Sequence, residues 1–338
     1  MIELRNNKLI VSFPESPLKP WLAIDLQRTL RIPDDGRTYP LPPGLGSFPL
    51  RHIDDFADKV PKSWLKRGGV LLPMWQSEAL WLHFRSASYA DRGTAYPFAM
   101  KIATGKINAI TGEPWAAGLS RNPQSYLVTP GQPWLDGYCV EKGVVRQFVA
   151  MPMGQGYSTE EQLTGSADVG GIQIEVFPMR WQAFYERFPV LPPPNSIAQC
   201  LECAEDTRAI SKQEAMGLAP GGRMRQEVFR DPYSIHDWDE RQSSRCFIHL
   251  VNSATWKRIT GEAPPTQPLT PRQYNSAGYP WFDYYNPELE ALKGSATLAG
   301  VKSVTEKDAL EGAPPLQDNE TVSFNKVVTA KVREGDFS

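Results

Sequence analysis

The stretch IQIEV at residues 172–176 alternates apolar and polar side chains, and this alternation recurs along the chain. Ile172, Ile174 and Val176 share one face, opposite Gln173 and Glu175. A period of two residues is typical of a β-strand with one buried face. Similar patterns predict further strands at residues 8–13, 78–84, 98–102, 126–128, 144–151, 223–229, 245–251 and 322–332.

Helix signals are fewer and shorter. Ser158 and Glu161 form a capping-box pattern, in which each side chain can satisfy a backbone amide of the other residue, so a helix is expected to begin there. Strands and helices do not alternate regularly. The sequence therefore predicts an α+β, strand-rich fold with mainly antiparallel sheets, a few short helices and long proline-rich loops. Other helices are predicted at residues 54–59, 180–187, 211–216, 253–259 and 287–292.

Proline is frequent in the chain and accounts for 31 of the 338 residues. The run Pro192-Pro193-Pro194 is the stiffest of these stretches and cannot donate hydrogen bonds to a sheet. It predicts a boundary between a strand-rich N-terminal domain, residues 1–191, and a mixed C-terminal domain, residues 192–338. A single elaborated domain is the alternative.

The overall charge points to no polyanionic partner. The chain carries 36 Lys and Arg against 38 Asp and Glu, so its formal charge of −2 gives no broad field for nucleic acid or anionic lipid. No apolar run approaches the length of a membrane span, and charged residues interrupt the first thirteen positions. We therefore expect a soluble, cytoplasmic protein with no membrane partner.

Ten tryptophans are many for this length, and four of them directly follow a proline. Each pair can fix a loop to the core, because proline restricts the backbone and the indole buries a large area. Exposed indoles can instead form platforms for a sugar ring or a partner's side chain. Around Asp283, the segment at residues 279–285 is dense in aromatic residues. The pairs are Pro20-Trp21, Pro114-Trp115, Pro133-Trp134 and Pro280-Trp281.

Arginines supply the polar part of the predicted binding site. Arg223 and Arg225 lie two residues apart, so on a strand they share a face and can clamp a carboxylate or phosphate. Internal ion pairs with nearby acidic residues are the alternative. The predicted ligand-binding residues are Trp134, Arg146, Arg223, Arg225, Trp281, Asp283 and Tyr284.

The spacing of cysteine and histidine residues matches a metal site in the number of ligands but not in their geometry. Cys200 and Cys203 form a CxxC pair, and Cys246 and His249 form a CxxH pair, which together match four zinc ligands in number. On a strand, however, Cys246 and His249 project to opposite faces. No P-loop or dinucleotide fingerprint is present. The expectation is no bound metal and no cofactor.

Candidate catalytic groups are His236 and Asp237, in the densest polar cluster, and Asp283. A histidine beside carboxylates can act as a general base, although a capped helix start explains the cluster equally well. Asp136 and Asp283 are a conceivable glycosidase-type pair, which linear spacing does not test.

The block at residues 137–152, which reads GYCVEKGVVRQFVAMP, continues through Gln162–Gly165 to Gly170–Val176. It resembles a stretch shared by uncharacterised soluble proteins of bacteria and fungi, as does Leu218–Arg225. The resemblance implies no activity. From the residues alone we predict a binding or assembly protein that recognises a polymer, peptide or partner subunit, with a protein or carbohydrate partner. The alternative is a hydrolase that uses carboxylates or a His-Asp pair.

Overall fold

Strands dominate the computed structural model, which describes residues 1–190, 215–284, 286–314, 316, 319–322 and 327–329. The strands are β1 Ile2–Arg5, β2 Lys8–Ser12, β3 Trp21–Thr29, β4 Thr38–Tyr39, β5 Gly44–Ser47, β6 Arg51–His52, β7 Val70–Met74, β8 Ala79–Ser86, β9 Ser88–Tyr89, β10 Thr94–Ala95, β11 Phe98–Thr104, β12 Ile107–Asn108, β13 Leu127–Thr129, β14 Trp134–Leu135, β15 Gly137–Glu141, β16 Val144–Pro152, β17 Ile172–Pro178, β18 Ala215–Arg225, β19 Ser244–Asn252, β20 Trp281–Asp283 and β21 Val327–Thr329.

The helices of the described residues are short. The α-helices are α1 Lys62–Arg67, α2 Thr159–Thr164, α3 Trp181–Arg187, α4 Ser253–Thr260, α5 Pro271–Ser276, α6 Ala296–Ala299 and α7 Val304–Glu311, and single 3₁₀ turns occur at Asp54–Phe56, Ala90–Arg92 and Ile235–Asp237. The predicted capping box at Ser158 is present and starts α2.

Most strands belong to one large sheet with mainly antiparallel pairing. Strands β1, β2, β3 and β8 pair in succession, and β8 continues to β14 and β16. On its other edge β16 pairs with β18, which meets β19, and β19 leads through β17 to β11. Parallel pairs join β18 to β4 and β19 to β7. The α+β, strand-rich, mainly antiparallel fold is therefore confirmed.

The same sheet joins strands from both sides of residue 191. Strands β16 and β17 precede this position, whereas β18 and β19, which pair with them, follow it. The triple proline at residues 192–194 lies outside the described residues. The two-domain division stays a prediction.

Most predicted strands are present, namely β2, β8, β11, β13, β16, β17 and β19. The prediction at residues 223–229 was wrong in its bounds, because β18 ends at Arg225 and begins at Ala215. Nearly every residue of β18 is buried, so it carries no alternation. A Cβ at Gly221 would lie 2.5 Å from Cγ2 of Val149, so a larger residue there would clash with β16. Of residues 322–332, the structure describes β21 and residue 322.

The helix predicted at residues 287–292 is absent, since this segment forms turns and short extended pairings. The amide of Leu292 donates to the carbonyl of Val228 at 2.7 Å, and that of Arg230 donates to Glu290 at 2.7 Å. Pairing with residues 228–230 satisfies the backbone in place of helical bonds. Residues 215 and 216 of another predicted helix belong to β18, and residues 211–214 lie outside the described part. The helices predicted at 180–187 and 253–259 match α3 and α4, and only a 3₁₀ turn forms within 54–59.

Candidate functional site

An open cleft is lined mainly by aromatic and proline side chains. Its volume is about 400 Å³. We call it the aromatic cleft, and its lining residues are Leu41, Pro42, Pro43, Gly44, Trp81, Trp134, Asp136, Phe282, Asp283 and Tyr284.

Strands β8 and β14 supply the tryptophans of the aromatic cleft. Trp81 and His83 are two residues apart on β8 and therefore share a face. Trp134 stands opposite His83 in the antiparallel register of β14 and β8. The two indoles meet edge to face, with ring centroids 6.3 Å apart and an interplanar angle of 80°. Cross-strand pairing thus brings together two tryptophans that are 53 positions apart in the sequence.

The second wall comes from two chain segments that hold each other. The amide of Leu41 donates to the carbonyl of Phe282 at 2.8 Å, and the amide of Phe282 donates back to Leu41 at 2.9 Å. Tyr284 then meets Trp134 edge to face at a centroid distance of 4.7 Å. A Cβ at Gly44 would lie 3.1 Å from Trp81, so a glycine lets this wall approach the indole closely.

Asp136 is the buried carboxyl group of the cleft lining and is 3% exposed. Gln226 holds it at two points: its amide nitrogen donates to Oδ2 at 2.6 Å, and its amide oxygen accepts from the Asp136 backbone N–H at 3.0 Å. Burial raises the pKa of this carboxyl to about 7, although hydrogen bonds from Gln226 and Trp134 act in the opposite direction. Near neutral pH, Asp136 can therefore either donate or accept a hydrogen bond.

Asp283 lines the same cleft in a different electrostatic setting. Nε and Nη2 of Arg225 donate to its two carboxylate oxygens, each at 2.9 Å. Asp283 thus has a guanidinium partner, while Asp136 lies buried without an ion pair among the described residues. The structure thus brings Asp136 and Asp283 to one cleft.

Trp281 lies behind the wall and does not line the cleft. It is fully buried, and its Nε1 donates to Oδ1 of Asn275 at 2.8 Å. Its ring packs against Tyr39 and Tyr274, with centroid distances of 6.1 and 5.9 Å. Trp281 therefore anchors β20, which carries Phe282 and Asp283.

Arg146 and Arg223 lie outside the cleft lining, although both were among the predicted ligand-binding residues. They face each other in the β16–β18 register. Arg146 pairs with Glu306 at 2.8 Å, and Arg223 pairs with Glu141 at 2.9 Å. The hydrogen bond from Arg146 lowers the pKa of Glu306 to about 2. Their charges are thus engaged by internal ion pairs.

His236 and Asp237 take part in a local turn away from the aromatic cleft. Ser234 and Asp237 form a capping box around the 3₁₀ turn, and Asp237 also pairs with Arg187 at 2.5 Å. His236 is exposed at this turn. The capping alternative considered for this cluster accounts for these contacts.

The cysteine and histidine candidates have separate packing partners. The imidazole of His249 stacks on Trp64 at a centroid distance of 4.7 Å, and its Nε2 lies 2.9 Å from the carbonyl of Gly68. Burial lowers the pKa of His249 to about 4 and raises that of Cys246 to about 12. Cys200 and Cys203 lie outside the described residues. Within the described part of the chain, no three His, Cys, Asp or Glu side chains converge as metal ligands.

Several cleft residues carried no signal in the linear sequence. Trp81 lies on a strand that was predicted, but nothing placed it beside Trp134. Gln226 follows β18, whose end was misplaced, so its contact with Asp136 was missed. Trp134 itself lies on β14, which was not predicted, so no pairing of the predicted strands would have brought Trp81 beside it.

No family model, curated protein or solved structure matches this chain. The fold and the site therefore define the molecule on their own: a strand-rich α+β protein with an aromatic cleft that contains a buried carboxyl group. Across the described residues, no helix is long and apolar enough to cross a membrane.

Proposed function

We propose that the protein binds a carbohydrate chain in the aromatic cleft. The observation that carries this proposal is the combination of Trp81, Trp134 and Tyr284 with the buried carboxyl of Asp136 in one cleft of about 400 Å³. A sugar ring has a weakly polar face that packs on aromatic rings, and hydroxyl groups around its edge. Apolar walls with one well-placed polar group are typical of ligand sites.

The polar groups of the cleft suit hydroxyl ligands better than charged ones. Asp136 can donate or accept near neutral pH, and a sugar hydroxyl can do both. The guanidinium of Arg225 is already occupied by Asp283, so this predicted clamp lacks the free charge that an anionic partner requires. Carbohydrate is therefore favoured over a peptide or a partner subunit as the ligand of this cleft.

Hydrolysis of the bound chain is the second candidate function, supported by the contrast between the two carboxyls. Glycosidases pair an acid whose pKa is raised by burial with a carboxylate that stays ionised. The raised pKa of Asp136 suits the acid, which would protonate the leaving oxygen. Asp283, held by Arg225, is the group that would act as base or nucleophile.

Binding is tested by isothermal titration calorimetry with cellohexaose, chitohexaose and maltohexaose, and with a deca-proline peptide for comparison. Trp134→Ala should weaken binding of the preferred saccharide at least tenfold, which is about 1.4 kcal/mol, because a stacked indole supplies much of the contact. Trp181→Ala is the matched control, since Trp181 is 41% exposed on α3 and lies outside the cleft. Binding of none of the saccharides, or of the peptide alone, would reject the proposal.

Hydrolysis is tested by the release of reducing ends from the saccharide that binds. If the protein is a hydrolase, Asp136→Asn and Asp283→Asn should each abolish release, because the amide cannot transfer a proton or attack. Asp136→Asn should still bind the saccharide. Saccharide binding without release by the unmodified protein would leave carbohydrate binding as the function.

The cytoplasm is the proposed location, on the basis of cysteines that are free and buried where the structure describes them. Fractionation of cells that express the tagged chain tests this expectation.

A further inference from the structure

A second cavity, with the opposite electrostatic character, opens near Trp115. Its volume is about 480 Å³, and its lining includes Arg67, Lys106, Trp115, Arg245 and Phe247. We call it the basic pocket. Three of its lining side chains are cationic, and none of its described lining residues is acidic. It shares no lining residue with the aromatic cleft.

Arg67 enters the basic pocket from the last turn of α1. Its guanidinium lies over the ring of Phe247, 5.4 Å from the centroid, and donates to the carbonyls of Val169 and Asp168 at 3.4 and 3.2 Å. These partners are neutral carbonyls, and no carboxylate forms an ion pair with Arg67 among the described residues. Its guanidinium is therefore oriented by neutral carbonyls, and the exposed Asp168 carboxylate acts on it electrostatically without forming an ion pair.

Arg245 approaches from β19 and is held at two points. Its guanidinium lies over Trp115, 5.6 Å from the centroid, and pairs with the buried Glu175 at 2.9 Å. Lys101, whose ammonium lies 4.8 Å from the same ring, donates to the carbonyls of Ala116 and Gly118. The ring of Trp115 thus contacts two cations.

Lys106 completes the cationic lining and pairs with Asp168 at 2.5 Å. Of the three lining cations, Lys106 and Arg245 pair with Asp168 and Glu175, so Arg67 is the lining cation that has no ion pair among the described residues. A net positive charge therefore faces the cavity. A guanidinium has five N–H donors in a planar fork that matches the oxygens of a phosphate, and the bonds described for Arg67 and Arg245 leave donors unused.

We propose that the basic pocket binds a small molecule through a phosphate group. Arg67 and Arg245 contact the phosphate oxygens, and Lys106 adds charge. Phe247 and Trp115 position the two guanidiniums by cation–π contacts, which lowers the conformational entropy lost on binding. The excess of positive charge favours a dianion over a monocarboxylate of similar size.

The direct test is isothermal titration calorimetry of the full chain with inorganic phosphate, and with acetate at matched ionic strength. Phosphate should bind saturably and at least tenfold more tightly than acetate. Arg67→Gln and Arg245→Gln should each weaken phosphate binding at least tenfold. Arg272→Gln is the matched control, because the Arg272 side chain is 75% exposed and pairs with Glu320. It should bind phosphate like the unmodified protein.

Three results would overturn the proposal: no saturable phosphate binding at millimolar concentration, equal binding of phosphate and acetate, or the same affinity in all three variants. Arg245→Gln leaves Glu175 without its ion partner and risks misfolding. If its circular dichroism spectrum is changed, Arg67→Gln alone decides. Arg67 forms no ion pair among the described residues, so its removal leaves no buried carboxylate without a partner. Phenyl phosphate then separates the sources of the ligand, since tighter binding than inorganic phosphate indicates a phosphorylated organic molecule.

Discussion

The two cavities are each lined by a tryptophan that follows a proline, yet the neighbours of the two indoles differ completely. Trp134 meets other aromatic rings, with Trp81 at 6.3 Å and Tyr284 at 4.7 Å. Trp115 meets cations, with Lys101 at 4.8 Å and Arg245 at 5.6 Å. The same dipeptide therefore contributes to an apolar cleft in one region and to a basic pocket in the other.

This difference arises from strand pairing and not from the local sequence. Trp134 lies on β14, and the register with β8 sets its aromatic neighbours. Trp115 lies in a loop beside β11, β17 and β19, where Lys101, Glu175 and Arg245 meet in the antiparallel register. A Pro-Trp pair fixes its own backbone, but the sheet determines which ligand its indole can meet.

The largest expected effect separates an anchoring tryptophan from a ligand-contacting one. Trp281→Ala should lower the free energy of unfolding by about 3 to 5 kcal/mol, because it empties a fully buried site and breaks the bond to Asn275. Trp134→Ala should cost much less, because its indole is only half-buried. Urea denaturation measures both. A similar loss in the two variants would contradict the distinction between anchor and contact.

The buried acids of the two regions provide the next test, because Glu175 has an arginine partner and Asp136 has none among the described residues. A folded-state pKa of about 7 lies above the usual value, so the stability that Asp136 contributes by binding a proton is fully present near pH 4. It is lost as the pH rises through about 7. Between about pH 5 and pH 8, the unmodified protein should lose about 3 kcal/mol relative to Asp136→Asn.

Urea denaturation of both proteins across this pH range measures the difference. The same measurement on Glu175→Gln gives the comparison for the buried acid that has an arginine partner. Parallel pH profiles for the unmodified protein and Asp136→Asn would show that Asp136 does not hold a proton near neutral pH in the folded state.

The extent to which the sequence predicted the fold follows from the side-chain pattern of each strand. Strand β2 buries Leu9 and Val11 and leaves its intervening side chains partly exposed, so alternation revealed it. Strand β18 is buried on both faces and contains Pro220, Gly221 and Gly222, which in isolation indicate a turn. Pairing with β16 and β4 nevertheless makes this segment a strand. Strand β11 is also buried along its whole length and was still predicted, because Lys101 gives it an alternating pattern that the proline and glycines of β18 do not give.

The residues of the aromatic cleft could be anticipated from the sequence only in part. The aromatic segment around Asp283 and the Pro133-Trp134 pair stand out as composition, and both contribute to the cleft. Trp81 and Gln226 reach it only through pairing between distant strands, which one sequence does not encode in a readable form. The three arginines predicted to bind a ligand lie in different places. Arg225 contacts the cleft through Asp283, while Arg146 and Arg223 pair with other acids.

The smallest expected effect tests the electrostatic contrast between the two cavities directly. Raising sodium chloride from about 0.05 M to 0.5 M shortens the screening length from more than about 10 Å to less than about 5 Å. Phosphate binding in the basic pocket should weaken about tenfold, or about 1.4 kcal/mol, because chloride screens and competes for Arg67 and Arg245. Saccharide binding in the aromatic cleft should change by less than about twofold, because stacking on Trp81 and Trp134 involves no net charge. Calorimetric titrations of both ligands at the two salt concentrations measure this, and an equal salt dependence at the two cavities would remove the distinction between them.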